Sequence, residues 1–81
     1  MTRHILARAA LPERPGHMQA DLVLVHLDHN RVTPWVTWQM NLSDGSTYWG
    51  HYHQTLTEAQ FEFTERCVEK RAVRYTGERP K

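Results

Sequence analysis

The six histidines are the residues of this sequence best suited to chemistry. His51 and His53 are two residues apart in a β-rich segment, so their imidazoles point to the same side, a spacing that can serve a zinc ion. His26 and His29 lie on either side of Asp28 and could add ligands. However, no cysteine pair accompanies them and no local spacing fixes a third ligand, and short motifs of this kind often arise by chance. The sequence therefore predicts surface histidines, with no metal site and no cofactor.

Catalysis has little support in the sequence. Cys67, the one cysteine, could act as a nucleophile beside a histidine. Its place on the apolar side of a predicted helix is more typical of a small core residue. No Ser-His-Asp pattern, glycine-rich phosphate loop or pair of carboxylates is legible, and a chain of 81 residues has one thin core that a cleft would compete for. We therefore predict that the protein is not an enzyme.

Composition restricts the possible partners and the cell compartment. A net charge of +1 is a weak basic bias for a nucleic-acid-binding domain. With one cysteine no internal disulfide can form, which fits a reducing cytoplasm. No segment approaches the roughly 18 apolar residues of a membrane span, and the start of the chain does not read as a signal peptide. The expectation is one cytoplasmic domain over residues 1–81, with no membrane contact.

Prolines and glycines divide the chain into segments. Residues 1–20 read as an N-terminal arm or edge strand followed by a Pro/Gly loop, because Pro12, Pro15 and Gly16 interrupt regular structure. Residues 21–28 form the strongest strand signal, and since both faces are apolar this strand should lie inside the sheet. Residues 21–53 as a whole predict an antiparallel β-meander.

The turn at Ser43-Asp44-Gly45 sets the register of the hairpin that it closes. A two-residue loop would place Trp38 opposite His51 and would bury imidazoles without partners, which is costly. A three-residue loop with Gly45 left-handed is therefore favoured. The expected cross-strand pairs are Met40 with Tyr48, Trp38 with Gly50, and Val36 with Tyr52.

A helix over residues 57–75 is predicted to follow the meander. Thr57 is its expected N-cap, and Gln60 would complete a capping box. Helical spacing predicts that Phe63, Cys67 and Val68 pack on the sheet. The predicted solvent side carries Glu58, Glu62, Glu65 and Glu69, and residues 76–81 form a basic tail. The fold class is thus α+β: an antiparallel three- to four-stranded β-meander with one C-terminal helix on one sheet face.

The second face of the hairpin is the predicted binding surface. One helix can cover only one side of the sheet, so the other side should meet water, the N-terminal segment, another copy or a partner. Tryptophan is enriched at interface hot spots. The predicted contact residues are Trp35, Thr37, Gln39, Trp49, His51 and His53. Two alternatives remain open: residues 5–11 fold over this face, or the other register places Trp49 in the core.

The leading function is therefore a non-enzymatic module that binds a protein partner or a second copy of itself. The alternative is nucleic-acid binding, in which sheet aromatics stack on bases. Phosphates would then be contacted by Lys70, Arg71, Arg74, Arg79 and Lys81.

Residues 29–38 (HNRVTPWVTW), residues 44–52 (DGSTYWGHY) and a helix containing Phe63, Glu65, Arg66 and Cys67 resemble small uncharacterised proteins of actinobacterial phages and related mobile elements. The resemblance covers about the last two-thirds of the chain. It implies a context, since small phage proteins often act by binding a host protein, and it assigns no site residue.

Overall fold

Five strands form one antiparallel sheet in the computed structural model, which describes residues 3–80. The elements are β1 (Arg3–Ala10), β2 (Ala20–Leu27), β3 (Trp35–Asn41), β4 (Thr47–His53), α1 (Leu56–Lys70) and β5 (Val73–Tyr75). The spatial order of the strands is β4-β3-β2-β1-β5. The predicted α+β class is confirmed, with five strands in place of three or four. The one helix of the described residues is too short and too polar to cross a membrane.

The predicted position of β2 inside the sheet is confirmed. It is the middle strand and pairs with β1 on one side and β3 on the other. Its residues alternate between two apolar clusters: Leu22 and Leu24 pack with the helix, whereas Val23 and Val25 pack on the opposite face. A strand with both faces apolar therefore forms the centre of both clusters.

The prediction that the N-terminal segment is an arm or an edge strand is wrong. β1 lies between β2 and β5, and the pairs Ala9 with Arg74 and Ala10 with Val73 join it to the last strand. β5 falls within the segment predicted to be helix, so a short strand replaces the last turns expected there.

The ends of the helix also differ from the prediction. The N-cap is Thr55, not Thr57, because its hydroxyl oxygen accepts the backbone N–H of Glu58 at 3.2 Å. The helix ends at Lys70, not near residue 75. Arg71 adopts a left-handed conformation with φ 58°, and its N–H reaches the carbonyls of the preceding turn. The helix is stopped without the glycine that usually occupies this position.

The register of the β3–β4 hairpin agrees with the prediction in the half that is farther from the turn. Val36 faces Tyr52, as expected. Next to the turn Met40 faces Thr47 and not Tyr48, because the loop has four residues. The longer loop shifts the pairing by one residue, and a bulge at Trp49 in β4 shifts it back by one. The predicted register is therefore restored on the far side of the bulge.

The helix covers the opposite sheet face from the one predicted. Trp35 packs with the cluster that contains Phe63 and Cys67, so the side of β3 that carries Trp35 lies under the helix. The predicted arrangement would place Trp38, which alternates with Trp35, under the helix. Trp38 instead belongs to the second cluster, on the uncovered side. Packing of Phe63 and Cys67 on the sheet is confirmed.

Candidate functional site

Most of the predicted binding residues lie on the helix side of the sheet. Thr37 is 1% exposed, Trp35 is half-buried, and the Gln39 amide donates a hydrogen bond to the Tyr48 hydroxyl at 3.0 Å. The predicted alternation is correct, since Trp35 pairs with His53 and Thr37 with His51. The prediction that this face is uncovered is wrong.

Trp49 is, together with His51, one of the predicted site residues that remain exposed. Its side chain is 64% exposed, and its backbone is left-handed with φ 55° in the bulge of β4. Its ring meets the edge of Tyr48, with 4.9 Å between centroids. The bulge on this edge strand interrupts the ladder that another strand would use, which is how sheets limit edge-to-edge pairing.

Glu62 connects the two predicted strand histidines to the helix. The Thr37 hydroxyl donates to Oε1 of Glu62 at 2.6 Å, and His51 Nδ1 lies 2.8 Å from Oε2. His53 Nε2 lies 3.3 Å from Oε1 without forming a hydrogen bond. Burial opposes the charged form, but the hydrogen bonds from Thr37 and His51 outweigh it and lower the pKa of Glu62. The prediction that Glu62 faces solvent is therefore wrong.

Arg66 completes this network from the next turn of the helix. Its Nη1 donates to the Thr37 carbonyl at 3.2 Å and to the Thr37 hydroxyl oxygen at 3.1 Å. The Thr37 hydroxyl is thus buried and committed to the helix, so it is not placed to attack a substrate. The arrangement anchors α1 on β3 and β4, and Glu62 is the partner of the His51 imidazole, whereas His53 Nε2 has no hydrogen-bond partner.

A second group of imidazoles lies at the end of β1 and β2. His4 Nε2 is 3.0 Å from Oδ2 of Asp28, and His26 Nδ1 is 3.2 Å from Oδ1. The bond from His4, with the charge of both imidazoles, lowers the pKa of Asp28. His26 and Asp28 are close in sequence, whereas His4 is added by the β1–β2 pairing. The sequence places His26 beside Asp28, but without that pairing it gives no signal that His4 joins them.

The sequence reading also missed a buried carboxylate. Asp21 is fully buried, and Arg8 donates to its Oδ2 while Arg79 Nε donates to its Oδ1 at 3.0 Å. The Tyr75 hydroxyl also donates to Asp21, and its pKa is raised by burial and by this bond. Two arginines and a tyrosine satisfy the carboxylate, as a buried charge requires.

This cluster also changes the interpretation of the predicted basic residues. Arg79 is committed to Asp21, and Arg74 lies over the Phe63 ring at 4.8 Å while donating to Thr64 Oγ1. Lys81 lies outside the described residues. The remaining cations, Lys70 and Arg71, are at the C-terminal end of the helix. The four of these residues that the structure describes are therefore spread over different parts of the fold.

The outward side of α1 carries an unexpected apolar surface. Phe61 is 68% exposed and Val68 is 76% exposed, so the prediction that Val68 packs on the sheet is wrong. They belong to a shallow groove, here called the outer helix surface. Its residues are Thr57, Gln60, Phe61, Thr64, Glu65, Val68 and Glu69.

The sequence matches no protein-family model and no curated protein, and the fold matches no solved structure.

Proposed function

We propose that this chain is a non-enzymatic binding domain whose outer helix surface holds a basic and apolar segment of a partner protein. The observation that carries the proposal is that α1 has two apolar sides. Ala59, Phe63 and Cys67 face the sheet and are buried, whereas Phe61 and Val68 face away and are exposed. If the resemblance to small phage proteins holds, the partner is a protein of the host cell.

The outward apolar side chains, Phe61 and Val68, belong to neither buried cluster of the fold. At about 100° per residue, Phe61 and Val68 point within roughly 20° of each other and Phe63 lies about 200° from Phe61. A helix packed on one sheet needs a single apolar stripe, and polar residues normally fill the other side. Two large apolar side chains that share an exposed groove are typical of a contact surface.

The charges beside this groove specify the chemistry of the partner. Glu58, Glu65 and Glu69 lie on one side of Phe61 and Val68, within about 80° of the Phe61 direction. Among residues 3–80, neither Glu65 nor Glu69 forms an ion pair. As an i,i+4 pair of like charges they disfavour the helix by about 0.2–0.5 kcal/mol. A basic partner would relieve this repulsion, and the attraction between its charges and the glutamates would speed its association.

A second copy in antiparallel orientation fits this pattern less well. Two-fold symmetry would bring the acidic flank of one helix beside the same flank of the other, so that Glu65 would lie near its own counterpart. Like charges at that distance oppose association. The charge pattern therefore favours a different, basic partner over self-association.

Nucleic-acid binding through the sheet has weaker support. On the uncovered face Trp38 is 8% exposed, because Arg3 lies 5.0 Å from its ring centroid and Tyr52 meets its edge. A base would have to displace this cover before it could stack. Tyr52 is half exposed, and one free ring is a small platform for a nucleic acid strand.

The test uses a defined peptide, an amphipathic helix of leucine and lysine, titrated into the intact protein. We expect Phe61→Ala/Val68→Ala to weaken binding at least about tenfold, which is about 1.4 kcal/mol. Val32→Ala is the matched control, since it shortens a valine that is 71% exposed elsewhere on the surface. Glu65→Gln/Glu69→Gln should weaken binding and reduce its dependence on salt.

Three results would contradict the proposal. The double alanine variant could bind as well as the Val32→Ala control. A leucine and glutamate peptide could bind as tightly as the lysine peptide. Sedimentation could show a wild-type dimer that Phe61→Ala/Val68→Ala dissociates, in which case the occupant is a second copy.

A further inference from the structure

His4, His26 and Asp28 present their donor atoms to one point at the end of the sheet. One ring nitrogen from each histidine and one carboxylate oxygen of Asp28 lie within 4.8 Å of one another. Each imidazole faces a different oxygen of the same carboxylate. We propose that these three residues bind a divalent transition-metal ion of the zinc class.

The backbone fixes two of the three ligands relative to each other. His4 and His26 are direct cross-strand partners in β1 and β2, so their side chains leave the same face of the sheet side by side. Asp28 follows one residue after the end of β2. The ligands thus come from two hydrogen-bonded strands and an adjoining turn.

The movement needed to bind a metal ion is small. Zinc binds nitrogen and oxygen ligands at about 2.0–2.1 Å, which in tetrahedral geometry separates the donors by roughly 3.3 Å. His4 Nε2 lies 3.0 Å from Oδ2 of Asp28 and His26 Nδ1 lies 3.2 Å from Oδ1, so each imidazole is already at about that distance from one oxygen of the carboxylate. Rotation of exposed side chains can supply the remaining adjustment between the two imidazoles.

Neighbouring groups hold the ligands in place. The Trp35 ring lies against the His26 ring, with 4.4 Å between centroids. The turn after Asp28 is closed by Asn30, whose side-chain oxygen accepts the N–H of Val32 at 3.1 Å and that of Thr33 at 2.9 Å. Support of this kind orients ligands in metal sites.

The donor set and its exposure select the class of ion. Two imidazole nitrogens and one carboxylate suit zinc or cobalt, whereas magnesium and calcium prefer oxygen ligands alone. The site is open to solvent, since His4 and Asp28 have side chains that are 50% and 46% exposed. Water or a donor from another molecule can fill the fourth position. By contrast, the carboxylate near His51 and His53 is already bonded to Thr37.

The test is a calorimetric titration of the full chain, free of any polyhistidine tag, with Zn²⁺. We expect one equivalent to bind, and His4→Ala and Asp28→Asn each to weaken binding by roughly tenfold or more. Circular dichroism checks that the exposed substitutions leave the fold intact.

His29→Ala is the matched control, because it removes an exposed imidazole next to Asp28 that is outside the group. It should bind Zn²⁺ like the wild type. Titration with Co²⁺ gives a second readout, since tetrahedral coordination produces strong visible absorption that Asp28→Asn should abolish. Absence of Zn²⁺ binding, equal affinity in His4→Ala and wild type, or an equal loss in His29→Ala would overturn the proposal.

Discussion

The indole of Trp38 occupies the space in which a side chain at Gly50 would stand. A Cβ atom on Gly50 would lie 2.3 Å from Trp38 Nε1 and 2.6 Å from its Cδ1. The contact is on the sheet face that no helix covers, and Arg3 lies over the same ring. Trp38 is therefore 8% exposed because its neighbours in the sheet bury it.

Gly50→Ala should destabilise the domain by about 1–3 kcal/mol, the usual cost of overpacking a filled site. The methyl group cannot be accommodated unless the Trp38 ring moves. The measurement is urea unfolding of the single variant and of Gly50→Ala in a Trp38→Leu background. The cost should shrink in that background, because the smaller side chain leaves room. Strictly additive costs would show that Trp38 and Gly50 do not share this space.

Truncation of Trp38 and of Trp49 should change the stability of the domain by different amounts. Trp38→Ala should cost about 3–5 kcal/mol, because it removes a buried ring and leaves a cavity. Trp49→Ala should cost less than about 1 kcal/mol, since that side chain is 64% exposed. Trp49→Gly should cost even less, because glycine accepts the left-handed backbone of the bulge without strain. Equal thermal stability of Trp38→Ala and Trp49→Ala would contradict the assignment of Trp38 to a core.

The buried carboxylate of Asp21 gives a third prediction. Asp21→Asn should destabilise by about 3 kcal/mol or more, because Arg8 and Arg79 would lose their shared counter-ion. Tyr75→Phe should cost less, about 1–2 kcal/mol, since it removes one hydrogen bond and leaves the charges paired. Glu69→Gln, an exposed change of the same kind, serves as the control in urea unfolding. A cost for Asp21→Asn no larger than that of the control would exclude a stabilising role for this cluster.

Local signals in the sequence were sufficient for β2, for the position of the hairpin turn and for the left-handed glycine in it. β2 was predictable from a run that is apolar on both faces, and Gly45 has the left-handed φ of 73° that its turn was expected to require. The placement of Trp38 over Gly50 also followed from register and side-chain volume. Each of these features depends on residues that are close in sequence or directly paired.

The face covered by the helix could not be predicted because β5 was missed. It has three residues and follows a helix that ends at Lys70 and is capped by Arg71 in place of a glycine. β4 and β5 run parallel, since four antiparallel pairings separate them in the order β4-β3-β2-β1-β5. A crossover between parallel strands is almost always right-handed, which would have assigned α1 to one face. Because residues 73–75 were predicted to be part of the helix, no second parallel strand was expected and the rule could not be applied.

The side-chain clusters around Asp28 and Asp21 could not be predicted for a related reason. His4 meets Asp28 across 24 positions, and Arg79 meets Asp21 across 58. Both contacts depend on β1 lying between β2 and β5. Glu62 was placed on the solvent side by the helical wheel, yet it bonds Thr37 because the helix lies over β3 and β4.

The Glu62 network gives a prediction on pH. The pKa of Glu62 is lowered on folding from an ordinary value of 4.5. A carboxyl group of this kind contributes stability that is present above its unfolded pKa and is lost as the pH falls through the folded value. At pH 7 we expect Glu62→Gln to be less stable than the wild type by about 1.5–3 kcal/mol, the range for hydrogen bonds to a charged group. The difference should narrow below about pH 4.5, because protonation removes the same charge from the wild type.

Glu65→Gln is the matched control for this experiment, since Glu65 lies one turn away on the exposed side of the helix. Its free energy of unfolding should stay within about 0.5 kcal/mol of the wild type at every pH. The measurement is urea unfolding at a series of pH values from 7 to 3. If the gap between wild type and Glu62→Gln stays constant across that range, the charge of Glu62 does not stabilise the docking of α1. The anchor would then consist of the apolar contacts of Phe63 and of the Arg66 bonds to Thr37.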